Sequence, residues 1–155
     1  MNVLKQLNLA ISYIEENLCA EFNLDTAAKI ACVSTDSFIR FFSYMTGMTI
    51  NEYIRRRKLT QAAYDLKHSK STIIDIAIKY GYNSQAAFSR AFSNQHNISP
   101  TEYRKNGGLL KVYPPASFHI MIKGAKEMNF KVIELNETKV YGITRQFEGT
   151  GIQNA

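Results

Sequence analysis

The chain has 155 residues, of which 45% are hydrophobic, so it can bury a core and is typical of a globular rather than a disordered protein. Its 19 Lys and Arg residues outnumber 13 Asp and Glu residues, and the net charge of +6 favours a polyanionic partner. No run approaches the roughly eighteen apolar residues of a membrane span, and the charged N-terminus is unlike a signal peptide, so we expect a cytoplasmic protein with no membrane partner.

The first predicted elements are two helices. Apolar residues recur at steps of three and four from residue 4 to residue 18, which is typical of the buried face of a helix. Asn23 can cap a second, short helix that carries Asp25 in its first turn and ends near Cys32. Cys19 and Cys32, the only cysteines, have apolar neighbours in these patterns, so we expect buried free thiols.

A third helix is predicted between Ser34, an N-cap residue, and Gly47, which can adopt the positive φ that ends a helix. Its apolar stripe consists of Phe38, Phe41, Phe42 and Met45. If that stripe faces the core, the opposite face must be exposed, because a helix cannot turn both faces inward. The exposed side chains would then be Asp36, Ile39, Arg40 and Ser43.

A long helix follows the third one. Thr49-Ile-Asn-Glu52 has the sequence of a capping box, and the helix would reach about His68. Twenty helical residues span roughly 30 Å. The basic run from Arg55 to Lys58 lies on this helix, and its consecutive cations must point in several directions.

The chain then repeats this pattern with a constant offset, as Phe38 and Phe88 illustrate. Thr72 begins the second copy, Ser84 caps its next helix, and Asn97 stands where the first copy has a glycine. Ser99-Pro-Thr-Glu102 opens a last helix with a capping box and a proline in the first turn. The matching pairs include Asp25/Asp75, Ser34/Ser84, Arg40/Arg90, Phe42/Phe92, Ser43/Ser93 and Tyr53/Tyr103.

Each copy has the order helix, tight turn, helix that is typical of a helix-turn-helix unit. By the same geometry the second copy exposes Ala86, Ser89, Arg90 and Ser93. Arg40 and Arg90 share one outward position, and a guanidinium can donate two hydrogen bonds to guanine in the major groove. The long helix is also close to the roughly 34 to 36 Å between successive major grooves. The alternative is a pair of helical hairpins that pack only on themselves, with both arginines in surface ion pairs.

Residues 73 to 105, IIDIAIKYGYNSQAAFSRAFSNQHNISPTEYRK, resemble the signature of the AraC/XylS family of bacterial transcription regulators. The resemblance extends over about residues 4 to 105. It implies a mainly α fold with two tandem helix-turn-helix subdomains joined by a long linker helix. It also implies a sequence-specific regulator whose recognition helices, about residues 35–46 and 85–96, read adjacent major grooves of double-stranded DNA. RNA polymerase is then a candidate protein partner.

The resemblance places base contacts in both copies. In the first copy they fall on Asp36, Ile39 and Arg40, and in the second on Gln85, Ala86, Ser89 and Arg90. Asp36 departs from many relatives, which have a neutral or aromatic residue at this position. Its carboxylate can accept a hydrogen bond from cytosine but repels phosphate. Phosphate contacts are expected from helix starts and from the basic run, namely Ser34, Thr35, Arg55, Arg57, Lys58, Ser84 and Ser99.

The chain after residue 106 has a different pattern. Asn106-Gly-Gly marks a boundary, and residues 107–127 are expected to form a linker that contains Pro114-Pro115 and a possible strand in SFHIMIKG. Residues 128–155 resemble the opening of a GyrI-like effector-binding module, which implies a small-molecule effector and a short β-rich end. Disorder, strand pairing and packing onto the helical part, residues 1–106, are the alternatives for this segment.

The sequence lacks the motifs of catalytic and metal sites. The histidines His68, His96 and His119 are dispersed, with His68 expected near a helix end and His96 at the surface. A phosphate-binding loop and a nucleophile elbow are both missing. One related type of regulator joins this DNA-binding fold to an alkyl-accepting cysteine, but both cysteines fall inside the helical scaffold. We therefore predict a protein that is not an enzyme and has no cofactor or metal.

Two other functions remain as alternatives to sequence-specific regulation. The first is a small-molecule or partner-binding module with non-specific DNA affinity, which the strand-like tail favours. The second is a non-specific architectural DNA-binding protein, which a footprint with equal protection of unrelated sequences would support.

Overall fold

The computed structural model describes residues 3–20 and 23–119, and in these ranges the regular secondary structure is α-helical. The helices are α1 (Val3–Glu16), α2 (Leu24–Ile30), α3 (Thr35–Thr46), α4 (Ile50–His68), α5 (Ile73–Lys79), α6 (Gln85–His96) and α7 (Pro100–Asn106). The predicted mainly α fold is confirmed. α3 and α6 coincide with the two predicted recognition helices.

The predicted strands fall mostly on residues that the structure does not describe. Residues 117–119 begin the segment SFHIMIKG and are not in a strand. The rest of that segment and residues 128–155 lie outside the described residues. Among the helices that the structure does describe, none is long and apolar enough to cross a lipid bilayer.

Polar side chains begin the helices where the sequence predicts them. Ser34, Ser84 and Ser99 each accept a hydrogen bond from the backbone N–H three residues later. Thr72 and Asp75 form a reciprocal capping box. The predicted box at Thr49 is only half formed, because its hydroxyl accepts from the N–H of Glu52 while the Glu52 carboxylate binds two arginines.

α4 divides its buried side chains between two hydrophobic cores. The first core contains Leu7, Ala10, Ile11, Ile14, Leu18, Ala27, Ala28, Ala31, Phe38, Phe42, Ile50, Tyr53, Ile54 and Phe118. The second contains Leu59, Ala62, Ala63, Leu66, Ile76, Ala77, Tyr80, Phe88 and Phe92. Because α4 is one continuous helix that contributes to both cores, it sets the distance between them.

Residues 107–119, which we call the strap, return from α7 to α1 and contact both cores. Leu110 packs against the second core, whereas Phe118 is buried in the first. Between them the strap forms hydrogen bonds to α4. The compact unit that contains the helices accordingly runs from residue 1 to residue 120.

The predicted burial of Cys19, Cys32, Met45 and His96 differs from the structure. Cys19 and Cys32 are exposed, because they lie in the turns after α1 and α2 rather than within the helices. Met45 is 47% exposed, because it lies in the last turn of α3, one turn beyond the buried Phe42. His96 is only 2% exposed, because it continues the core-facing row of α6 and packs on the ring of Phe92 at 4.4 Å.

Candidate nucleic-acid interface

The exposed face of α3 carries most of the side chains that the sequence predicts there. Asp36 and Arg40 are exposed, while Ile39 and Ser43 are half-buried. The opposite face packs into the first core through Phe38 and Phe42. The sequence analysis missed Tyr44, which is 87% exposed next to Arg40 on the same surface. Its position four residues after Arg40 was the available signal, since residues four apart share a helix face.

α6 presents a smaller and more polar surface than α3. Gln85, Ala86 and Arg90 are exposed, and Ser89 is half-buried. Asn94 is a further exposed residue, one turn after Arg90, which the sequence analysis did not select. The small side chains at the start of α6 allow its backbone a close approach to a partner.

Arg40 and Arg90 are available for an external partner. Both side chains are exposed, and neither makes a hydrogen bond or an ion pair within the part of the chain that the structure describes. A guanidinium carries five N–H donors in a planar fork and is always charged. Two such groups at equivalent positions of two equivalent helices are the main polar feature of this surface.

The residues that begin α3 and α6 use their hydroxyl groups within the protein. Besides capping α3, the Ser34 hydroxyl hydrogen-bonds the Ser37 hydroxyl at 2.8 Å. Thr35 donates to the carboxylate of Asp25 in α2 at 2.5 Å, which ties the start of α3 to the preceding helix. Ser84 is an exposed cap. These helix starts remain positive dipole ends that attract anions.

The basic run on α4 divides into exposed and internal side chains. Arg55 has a 53% exposed side chain and binds Glu52 at 2.6 Å. Arg56 binds the other oxygen of Glu52 and lies over the ring of Tyr113 at 4.7 Å. Burial raises the pKa of Glu52, but the hydrogen bonds from the two arginines outweigh it and hold the pKa below its usual value. The half-buried Lys58 lies beside Gly81 in the turn before α6.

The predicted phosphate contact by Arg57 is wrong. Its side chain points inward and is 3% exposed. The guanidinium donates to the Glu15 carboxylate of α1 at 2.6 and 2.9 Å and to the backbone carbonyl of Tyr113 in the strap. The signal was present in the sequence, because Arg57 lies four residues after the buried Tyr53 and therefore on the same helix face.

Arg57 and Tyr53 form one polar network with α1 and the strap. The Tyr53 hydroxyl donates to Glu15 at 2.6 Å and accepts from the backbone N–H of Ala116 at 3.0 Å. Burial, followed by the hydrogen bond to Glu15, raises the pKa of Tyr53, so the phenol stays protonated. This network is structural, because its groups are directed at one another and not at solvent.

No metal site was found in the described part of the chain, where no three His, Cys, Asp or Glu side chains are grouped to hold an ion. His68 lies at the end of α4, as predicted, and its Nδ1 is 2.8 Å from the carbonyl oxygen of Tyr64.

Comparisons with known proteins agree on the type of domain. The family model described as a helix-turn-helix domain matches residues 27–106. The Tn10 transposon protein TetD of Escherichia coli is 42% identical over 94 residues, which are 61% of this chain and 68% of TetD. The regulatory protein SoxS of Escherichia coli K-12 is 38% identical over 94 residues, 61% of this chain and 88% of SoxS.

Solved structures share the fold. A transcriptional regulator with an AraC-type DNA-binding domain from Chromobacterium violaceum superposes with a TM-score of 0.60 at 27% identity, over 67% of this chain and 96% of that one. The DNA-binding domain of the global transcriptional factor AdpA, in complex with a target DNA, gives a TM-score of 0.57 at 27% identity, over 64% of this chain and 90% of that one.

Proposed function

The chain belongs to the AraC/XylS family of DNA-binding transcription regulators, and from this premise we propose that it reads a specific operator with α3 and α6 in two adjacent major grooves. The observation that carries the proposal is the pair Arg40 and Arg90. Each is exposed and has no partner among the described residues, and each lies at the same place on a capped helix of 12 residues.

The geometry of α4 supports reading by a single chain. With 19 residues at 1.5 Å per residue, α4 is about 28 Å long. Successive major grooves on one face of a duplex are roughly 34 to 36 Å apart. Because α3 and α6 lie beyond the two ends of α4 in sequence and pack into separate cores, one monomer can place one helix in each groove.

The exposed residues of each helix suggest different base contacts. We assign the base contacts in the first groove to Asp36, Ile39 and Arg40, and those in the second to Gln85, Ala86, Ser89 and Arg90. Arginine suits guanine, glutamine suits adenine, and an aliphatic side chain suits the methyl group of thymine. The carboxylate of Asp36 suits the amino group of cytosine and disfavours a nearby phosphate.

Contacts to phosphate would orient the chain on the duplex. We assign them to Arg55 and Lys58 on α4 and to the helix starts at Ser34, Thr35, Ser84 and Ser99. Arg57 is excluded from this set because its guanidinium is buried against Glu15.

The test is selection of bound sites from a random DNA pool, followed by titration of the selected site with variants. Arg40→Ala and Arg90→Ala should each lose about 1 to 3 kcal/mol of binding free energy and relax the preference at one base pair. Arg40→Lys and Arg90→Lys are matched controls, since they keep the charge but lose the fork. They should retain non-specific binding and lose the same base preference. Binding that is unchanged in both alanine variants, or a pool with no enriched sequence, would overturn the proposal.

A small-molecule effector is a separate proposal that concerns residues 128–155, whose sequence resembles the start of a GyrI-like module. It predicts that a panel of small molecules contains one that raises the melting temperature of the full chain and changes its affinity for the selected site. A panel that shifts neither quantity argues against an effector site in this chain.

A further inference from the structure

The strap lies along α4 between two hydrogen-bonded anchors. At one anchor the backbone N–H of Tyr113 donates to the Thr60 hydroxyl at 3.2 Å, and its carbonyl accepts from Arg57. At the other, the N–H of Ala116 donates to the Tyr53 hydroxyl at 3.0 Å. Residue numbers rise along the strap as they fall along α4, so the two segments run antiparallel.

The strap is short between these anchors. Tyr53 and Thr60 are seven positions apart on α4, a rise of about 10.5 Å along the helix axis. Tyr113 and Ala116 are three positions apart in the strap, over which even a fully extended chain covers at most about 11 Å. Pro114 and Pro115 fill the gap, and their fixed φ angles stiffen the segment. The hydrogen bonds therefore hold a short segment against α4.

Beyond the anchors the strap is attached to both helix-turn-helix units. At its start, Leu110 packs on the second core. At its end, Phe118 is 6% exposed, and its ring lies 5.7 Å from Phe41 and 6.4 Å from Phe42 of α3. Asn8 of α1 holds the backbone of Phe118 on both sides, accepting from its N–H at 2.8 Å and donating to its carbonyl at 3.0 Å.

We propose that the strap fixes the orientation of α3 relative to α6. Phe118, Asn8 and the two prolines then help to determine which spacing of the two half-sites the protein binds. This inference rests on the proposed function, because it concerns how two DNA-reading helices are aligned. α4 alone sets the distance between the units, but a single helix leaves their rotation and tilt to the contacts at its ends. The strap supplies such contacts at both ends and connects them by a stiff segment.

Phe118 acts on α3 through the buried Phe42, on the core-facing side of the helix, and through the half-buried Phe41, which borders the surface that carries Arg40. It is therefore a positioning residue and touches no base. Loosening it removes none of the exposed side chains of α3 or α6, and we expect it to widen the range of relative orientations of the two helices. Affinity for a two-groove site should then fall, because tight bivalent binding depends on both units fitting at once.

The experiment compares full-chain variants on DNA in which the selected half-sites are moved apart or together by single base pairs. Phe118→Ala, and Pro114→Gly with Pro115→Gly, should lower affinity for the best spacing by about tenfold, a fraction of the roughly 10²–10⁴-fold that linking two modules provides. They should also reduce the penalty for the altered spacings. Val112→Ala is the matched control, because Val112 is an exposed residue of the same strap.

The double glycine variant removes no buried side chain, so it decides the question even if Phe118→Ala impairs folding. Wild-type spacing preference and affinity in the double glycine variant would overturn the inference. Failure of the proposed function would give a different result. The wild-type chain would then show no preferred DNA site, and Arg40→Ala and Arg90→Ala would not change its binding. Equal losses of affinity in Val112→Ala and Phe118→Ala would also overturn the inference, because the loss would then not depend on the buried contacts of Phe118.

Discussion

The two helix-turn-helix copies share their backbone plan but are stabilised by different side chains. In the first copy, Glu15 pairs with the buried Arg57. Fifty positions later, Asp65 stands where the first copy has Glu15, but it pairs with the half-exposed Lys79 and with the Tyr80 hydroxyl. The acidic residue is thus repeated and its cationic partner is not.

The outward faces differ as much as the ion pairs do. α3 shows a carboxylate, Asp36, and a large exposed ring, Tyr44, whereas α6 shows the small Ala86 and the amides of Gln85 and Asn94. Most of the duplicated residues cap or pack the helices. Apart from the repeated pairs Arg40/Arg90 and Ser43/Ser93, the residues that face outward have diverged, so the two copies present different chemistry from the same scaffold.

The largest expected difference between the copies concerns their ion pairs. Arg57→Ala should lower the free energy of unfolding by about 3 to 5 kcal/mol, because it leaves the Glu15 carboxylate without the guanidinium that neutralises it in a largely buried site. Lys79→Ala should cost no more than about 1 kcal/mol, because that pair is half exposed. Urea titrations of the full chain measure both values. Similar costs for the two variants would mean that the copies are stabilised alike.

The two turns that follow α3 and α6 provide a smaller contrast. Gly47 has φ +70°, and no atom lies within 4 Å of an added Cβ, so Gly47→Ala introduces only backbone strain. We expect a loss of about 1 to 2 kcal/mol. Asn97 has φ +59° and already carries a side chain there, so Asn97→Gly should change stability by less than about 0.5 kcal/mol. Thermal melts compare the pair, and a neutral Gly47→Ala would contradict the assigned strain.

The smallest effect appears only below neutral pH. Burial lowers the pKa of His96 from its ordinary 6.5, although hydrogen bonds to the backbone of Leu59 and Lys111 act in the opposite direction. Between 6.5 and the lower folded pKa the unfolded chain binds more protons, so stability is complete above 6.5 and declines as the pH falls through this range. The first copy has Thr46 at this position, which does not titrate.

His96→Gln tests that contrast. The stability of the wild-type chain should fall with decreasing pH relative to the variant, and the two should show parallel behaviour above 6.5. Urea titrations at a series of pH values measure the difference. If both proteins lose stability in parallel below 6.5, His96 is not the group responsible.

The helix boundaries could be predicted from the sequence because local chemistry determines them. Ser34, Ser84 and Ser99 cap their helices through bonds that reach only three residues along the chain. Gly47 and Asn97 end helices through their own backbone angles. The exposure of Arg40 and Arg90 followed in the same way from the period of the helix, since the buried phenylalanines fix which side faces outward.

Predictions that depended on distant partners were less successful. Arg57 looked like its exposed neighbour Arg55, and only the position of Glu15 on α1, 42 residues away, makes it internal. His96 was predicted at the surface because its side chain is polar, but it is buried against the ring of Phe92 and the carbonyl of Leu59. For each, helix periodicity contained a signal, and the identity of the side chain pointed the other way.

The sequence by itself determined the helices of the described ranges, six of them with an N-cap, their duplication and the outward direction of two arginines, because these properties depend on contacts within a few residues. Only the tertiary structure decided which groups Arg57 binds and where the strap lies. The sequence pattern of residues 107–119 is that of a linker, but Phe118 meets Asn8 across 110 residues and enters the first core. Such contacts join surfaces that become complementary only after the helices have packed, so no local pattern in either segment encodes them.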